Sequence, residues 1–299
     1  MERRYPKGRD QVRKKLATLF SSLTKDAPTI THESLIQLAT NRKNKVRLVT
    51  TNFDRLFQQV ITEKKIDIPV YSAPLLPIPK KSSWDGIVYL HGLLPESSDE
   101  SELNRLVLTS GDFGLAYLTE RWASRFVTEL FKNYTICFVG YSINDPILRY
   151  IMDAFAVDKL LGETRPEAFA FASYNTEKKE QAEDEWKAKK VTPLLYKAPK
   201  ESEGKHDHSV LHKTLKEWAD IFRDGVQGKK MIISKHASTP PPTSSDEYFA
   251  VRRVLWALTD ESVAKHFADL NPVPPLEWLG PLSEKQFGHR DLSRFGVTA

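Results

Sequence analysis

The sequence predicts an α/β protein: a Rossmann-like parallel sheet with flanking helices, followed by a short, mostly helical C-terminal region. Three apolar runs carry this prediction, because each ends in a polar turn. Val46-Arg47-Leu48-Val49 runs into Thr50-Thr51-Asn52-Phe53-Asp54. Gly86-Ile87-Val88-Tyr89-Leu90 ends in His91-Gly92, and Tyr134-Thr135-Ile136-Cys137-Phe138-Val139 ends in Gly140-Tyr141-Ser142. Short apolar runs bounded by turn residues read as buried strands, and the helical spacing that follows the first of them reads as the next layer. In open α/β sheets the carboxyl ends of such strands are where ligands bind. Residues 46–51, 87–90 and 135–140 are therefore expected to be neighbouring parallel strands that bring Asn52, His91 and Ser142 to one rim.

The elements follow in order. Residues 10–22 read as a helix with Leu16, Leu19 and Phe20 on its apolar face, and residues 32–40 as a second helix capped by Thr31. After the first strand, Leu56/Val60 and Phe57/Ile61 pair one helical turn apart, which makes Asp54 an N-cap. Residues 66–85 hold four prolines and read as a loop into the His91 strand. Leu93 to Leu103 is a second, polar loop; Thr109-Ser110-Gly111-Asp112 then opens helices in which Trp122, Phe126 and Leu130 must face a core. Asp145 and Pro146 suit the cap and first turn of a helix after the third strand. Residues 168–172 and 191–196 read as further strands. Residues 208–222 read as a helix with Leu211, Leu215, Trp218 and Phe222 on one face. The domain reading is 1–228 for the sheet domain, 229–246 for a linker centred on Pro240-Pro241-Pro242, and 247–299 for the start of a helical, proline-rich region. Some fifty residues do not readily form a core alone.

Composition bounds the function. With 28% charged and 40% apolar residues in 299, a sizeable core is expected. No apolar run approaches the ~20 residues that span a bilayer, and Met1-Glu2-Arg3-Arg4 leads into charge rather than an apolar segment. No membrane partner is expected, and the chain reads as cytoplasmic. The net charge of +5 is spread over an N-terminal group from Arg3 to Lys15, expected on an exposed helix face, and a group from Arg42 to Arg47. Neither group interleaves aromatics that stack bases, so nucleic acid is not the expected partner. Cys137 reads as a buried, inert thiol, and one cysteine leaves no four-cysteine zinc module. His206, His208 and His212 read as a surface cluster at a helix start rather than a metal site.

Together, T-T-N-F-D at 50–54, Y-L-H-G at 89–92 and V-G-Y-S-I-N-D-P at 139–146 resemble the sirtuin-like family, over roughly residues 30–200. The resemblance is to its prokaryotic branch, which cleaves NAD in anti-phage defence, rather than to its histone-deacylase branch. It implies that Asn52 and His91 are the catalytic pair. It places Asp54 near the nicotinamide end of NAD, Gly140 and Ser142 on the adenosine side, and Thr51 and Asn144 among the cofactor-binding residues. NAD is then the substrate, no zinc is implied, and a homo-oligomer or a phage-derived activator stays open as partner. Deacylases of the family carry a zinc module; the single cysteine points instead to NAD hydrolysis without a protein substrate.

The chain departs from the family at one place. The Gly-Ala-Gly-type loop that holds a pyrophosphate at a helix N-terminus has no counterpart, since Gly8 is the single glycine in the first 85 residues. The expectation is a chain lacking its first strand and phosphate loop, with weak NAD binding. Beside an NAD-cleaving hydrolase, the residues leave open a non-catalytic NAD or ADP-ribose-binding module or inactive remnant, a protein deacylase, and a nucleic-acid binder.

Overall fold

The computed structural model describes residues 8–24, 27–80, 84–96, 100–141, 166–175, 178–199, 206–243 and 248–283. Contacts divide the chain into two units, Met1–Lys216 and Glu217–Ala299. Among the described residues the first unit is α/β, and its strands pair in parallel, with one isolated antiparallel bridge between Thr40 and Val46. Its order is α1 (Gly8–Thr24), α2 (Ile30–Ala39), β1 (Arg47–Thr50), α3 (Leu56–Lys64), β2 (Val70–Ser72), β3 (Gly86–Tyr89), α4 (Glu100–Leu103) and α5 (Ser110–Phe113). A π-helical turn at Gly114–Thr119 follows, then α6 (Trp122–Asn133), β4 (Ile136–Phe138), β5 (Ala168–Tyr174), the helix Lys179–Ala188, β6 (Thr192–Lys197) and the start of the helix Ser209–Asp224.

Among the described residues the strands form two three-stranded parallel sheets, ordered β1-β3-β2 and β4-β5-β6. The expected pairing of the first two runs holds, with Leu48 opposite Ile87 and Thr50 opposite Tyr89. The third run differs from expectation: β4 ladders with β5, Cys137 opposite Phe169, and belongs to the second sheet. A further difference is β2, which the proline-rich stretch conceals; its three residues fit between prolines and pair with β3.

β3 is buried at all four positions, as a central parallel strand must be. Its side chains alternate between two cores. Val88 joins Phe126, Val127, Phe131, Phe138 and Tyr117 on one side, while Ile87 and Tyr89 join Ile36, Leu48, Phe57 and Val60 on the other. The spacing of Phe126 and its neighbours on α6 is satisfied by the first of these cores. The same alternation corrects the reading of Cys137. Phe138 turns inward and Ile136 packs against that core, which leaves Cys137 exposed on the opposite face. Desolvation by its neighbours still pushes the thiol up to about 11, so it is protonated at neutral pH.

One further expectation is corrected. Thr31 does not cap α2: Thr29 holds that position, and the Thr31 hydroxyl lies 2.8 Å from Nδ1 of His212. On the helix Ser209–Asp224, Leu211 and Leu215 are buried but Trp218 and Phe222 are 41% and 48% exposed. In the second unit, the helices Val226–His236, Tyr248–Ala257 and Glu261–Ala268 share a core of Ile233, Val251, Val254, Leu258, Val263 and Trp278. Residues 226–236 thus supply apolar surface that residues 248–283 would otherwise lack, although part of that stretch reads as linker by composition. Among the described residues, no helix is long and apolar enough to cross a membrane.

Arg13 is the largest departure from the sequence reading. It was expected on a solvated face and is 1% exposed. Its guanidinium donates to the carbonyls of Leu103 (2.6 Å) and Leu106 (2.8 Å) and to Oδ2 of Asp112 (2.5 Å). Asp112 closes a capping box with Thr109 at the start of α5. Burial works to raise the Asp112 carboxyl. The N–H groups of Leu108 and Thr109, the Arg13 charge and the Thr109 hydroxyl outweigh it and hold the group below the usual carboxylate range. Removing one member of a buried pair strands the other, at a cost of about 3 kcal/mol or more. Arg13→Ala is therefore expected to lower the urea midpoint by an equivalent amount at neutral pH. A carboxyl depressed in the folded state stabilises above its ordinary pKa of about 4 and loses that contribution as pH falls through the folded value. The gap between parent and variant should narrow in acid, and a gap independent of pH would show that Asp112 is not the group Arg13 serves.

Candidate active site

The β1–β3 register builds the site. Thr50 and Tyr89 are the last pair of the ladder, and the Leu90 N–H donates to the Thr50 carbonyl at 2.9 Å. Asn52 and His91 each follow that pair by two residues, so both emerge on the carboxyl rim of the same two strands. The Thr50 hydroxyl accepts the Asn52 N–H (3.1 Å) and fixes the first turn. Asn52 itself is exposed, whereas His91 is 2% exposed. Asp54 is buried, and its Oδ1 accepts the Leu56 N–H at 3.1 Å, one residue ahead of the geometric cap Arg55. Burial and the Asp54 charge together push the Tyr89 hydroxyl well above its ordinary pKa, and it donates to Oε1 of Gln58 at 2.5 Å.

The turns after the two strands are laced together. The Leu94 N–H donates to the Phe53 carbonyl (2.9 Å), and the Arg55 guanidinium donates to the Leu94 carbonyl (3.0 Å) and pairs with Glu96. The end of β4 reaches the same rim although its ladder does not: the hydroxyls of Thr51 and Tyr141 lie 3.0 Å apart. Gly140 precedes that contact in a left-handed conformation, φ +74°. Ser142 and Asn144, and the expected cap Asp145, lie outside the described residues.

His91 sits in an aromatic enclosure. Phe113 meets its ring edge-on at 5.1 Å, Phe53 lies tilted at 6.5 Å, and the Tyr117 hydroxyl is 3.0 Å from Nε2. Phe113 and Tyr117 stack on one another at 5.7 Å. Sequence reasoning missed Phe113, Tyr117 and Tyr141. The first two offer a faint signal, an aromatic pair four residues apart just after a capping sequence, but nothing local ties them to a histidine 26 residues earlier. The three histidines near residue 208 each face a protein group: His206 the Ala198 carbonyl, His208 the Tyr196 hydroxyl and His212 Thr31. Among the described residues no group of three or more His, Cys, Asp or Glu is placed to hold a metal ion.

Parallel strands ending in an Asn/Asp turn, a caged histidine and a left-handed glycine form the arrangement on which comparison with known proteins bears. Residues 46–194 match the SIR2-like domain. That span runs from the start of β1 into β6 and contains Thr51, Asn52, Asp54, His91, Gly140, Ser142 and Asn144. The chain is also 29% identical over 234 residues to an uncharacterized protein, y4cA, of Sinorhizobium fredii. The match covers 77% of this chain and 19% of the relative, so the chain spans about a fifth of that protein's length. SIR2-like domains bind NAD.

Two glycines within the matched span separate backbone strain from steric exclusion. Gly92 has φ +97°, and a Cβ there would lie 2.7 Å from Cδ2 and 3.2 Å from Cα of Leu106. Gly140 has φ +74° with no atom within 4 Å of such a Cβ. Gly140→Ala is expected to cost about 1 kcal/mol, the left-handed penalty alone. Gly92→Ala adds a collision with the buried Leu106 side chain and should cost roughly 2–4 kcal/mol. Equal thermal shifts for the two variants would contradict this assignment.

Proposed function

We propose that this SIR2-like domain is an NAD hydrolase that cleaves the bond between nicotinamide and ribose. The observation that carries the reading is the shared rim: Asn52 and His91 each stand two residues past the last β1–β3 pair, inside the matched span. In this reaction the C–N bond at ribose C1 breaks, nicotinamide leaves with the bonding electrons, and water supplies the new C–O bond. The transition state resembles an oxocarbenium ion, as in glycoside hydrolysis. The exposed Asn52 amide orients the ribose hydroxyls or the attacking water. His91 takes the proton from a ribose hydroxyl or from that water, a role worth roughly 10²–10⁴ in rate. Imidazole suits it because its unperturbed pKa is about 6.5. Thr51, Asp54, Gly140, Ser142 and Asn144 are assigned to binding the dinucleotide.

The similarity of the 50–54, 89–92 and 139–146 motifs to the prokaryotic defence branch supports anti-phage defence as the setting. A deacylase is disfavoured because one cysteine in 299 residues provides no four-cysteine zinc module. A non-catalytic NAD or ADP-ribose-binding module is the second reading. It is favoured by the burial of His91, which is 2% exposed behind Phe113 and Tyr117.

Nicotinamide release from NAD at high NAD concentration distinguishes them. The parent is expected to release nicotinamide, and His91→Ala or Asn52→Ala to lower the rate by about a hundredfold or more. Release by His91→Ala at the parental rate would overturn the mechanism. Binding of NAD with no release by the parent would favour the second reading.

A further inference from the structure

We infer that the second unit carries a binding site for a nucleoside monophosphate. The site is an open cleft of about 510 Å³ lined from the end of the helix Ser209–Asp224 and from the helices Val226–His236, Tyr248–Ala257 and Glu261–Ala268. It lies outside the matched residues 46–194, and the inference is independent of the hydrolase reading. The volume falls in the range of roughly 300–1,000 Å³ that small-molecule sites occupy. Three cations, Lys230, Lys235 and Arg253, line the cleft against two carboxylates, Glu217 and Asp220, so positive charge is in excess. Glu217 is shared: its Oε1 lies 3.6 Å from the Lys235 ammonium and its Oε2 3.5 Å from the Arg253 guanidinium. Charge-assisted hydrogen bonds close to about 2.7–2.9 Å, so this one carboxylate holds both cations loosely and saturates neither.

The rest of the lining suits the body of such a ligand. Ile221, Met231 and Ile232 supply apolar surface, and Met231 is 52% exposed. Gly228 lets two helices close on that surface, since a Cβ there would lie 2.4 Å from the Ile221 carbonyl oxygen. The Ser234 hydroxyl lies 3.2 Å from Nε2 of His266 and ties two further walls together. His236 also lines the cleft, and its Nε2 is buried with no hydrogen-bond partner among the described residues. Burial, then the Lys235 and Arg253 charges, hold that ring below the ordinary histidine pKa against the pull of Glu217, so it is neutral at pH 7. An unmet buried polar atom is costly, and a sugar hydroxyl or the polar edge of a base removes the cost. A phosphate monoester fits the cations better than a carboxylate does, because it offers three strong acceptor oxygens to three donors. An aromatic base fits the apolar surface, where a methionine thioether gains from contact with a ring.

Methyl-¹³C methionine in the full chain tests this, with Met231→Leu to assign the signal among the three methionines. Adenosine monophosphate is expected to shift the Met231 signal to saturation with a Kd below about 1 mM. Lys235→Glu should weaken that binding about tenfold or more, and Lys235→Arg should hold it within about threefold. The Lys235 side chain is 61% exposed, so neither change disturbs the fold. Adenosine, which lacks the phosphate, and inorganic phosphate, which lacks the base, should each bind at least about tenfold more weakly than the nucleotide. A Met231 signal unmoved at about 10 mM nucleotide, an equal affinity for adenosine or for inorganic phosphate, or parental affinity in Lys235→Glu would each overturn the inference.

Discussion

The parallel register between β1 and β3 is the constraint on which the site depends. Successive residues of a strand point to opposite faces, so a slip of one residue would send Val88 and Ile87 into the wrong cores and move His91 relative to Asn52. Burial on both faces of β3 makes that slip costly. The two apolar cores therefore specify where the Asn/Asp turn stands relative to the histidine turn. The hydrogen bonds between Phe53 and Leu94 and between Arg55 and Leu94 then tie the turns directly.

A second constraint acts on the histidine. Water is largely excluded from His91, so each of its polar contacts is stronger than it would be at the surface, and each absent one is costlier. The segment from Thr109 to Thr119 supplies those surroundings. It is anchored at its start by Arg13, Asp112 and Thr109, and it delivers Phe113 and Tyr117 to the ring. The buried ion pair and the enclosed histidine belong to one packed wall, which links stability at α1 and α5 to the geometry of the rim.

The motifs that carry the resemblance lie at the strand ends. The match over residues 46–194 ends inside β6, before the unit that starts at Glu217. That unit has its own core around Trp278, whose indole N–H donates to the Thr239 carbonyl at 2.8 Å.

The sequence by itself determined the class of fold and the candidate residues. Strand ends are legible because apolar runs and the polar turns that stop them are local features, and Asn52, Asp54, His91 and Gly140 all sit in such turns. Helices at 8–24, 30–39 and 122–133 are legible for the same reason, through periodicity. Tertiary structure alone decided that β4 ladders with β5 rather than β1, since several apolar strands can pair and nothing within one run selects its neighbour. It also decided that β2 exists among prolines, that Cys137 faces out, and that Arg13 lies buried against carbonyls some 90 residues away. Tyr117 belongs with these. A side chain's partner across 26 residues depends on how α5 and the π-helical turn dock on the sheet, and that docking energy is distributed over a whole core rather than written in any one motif.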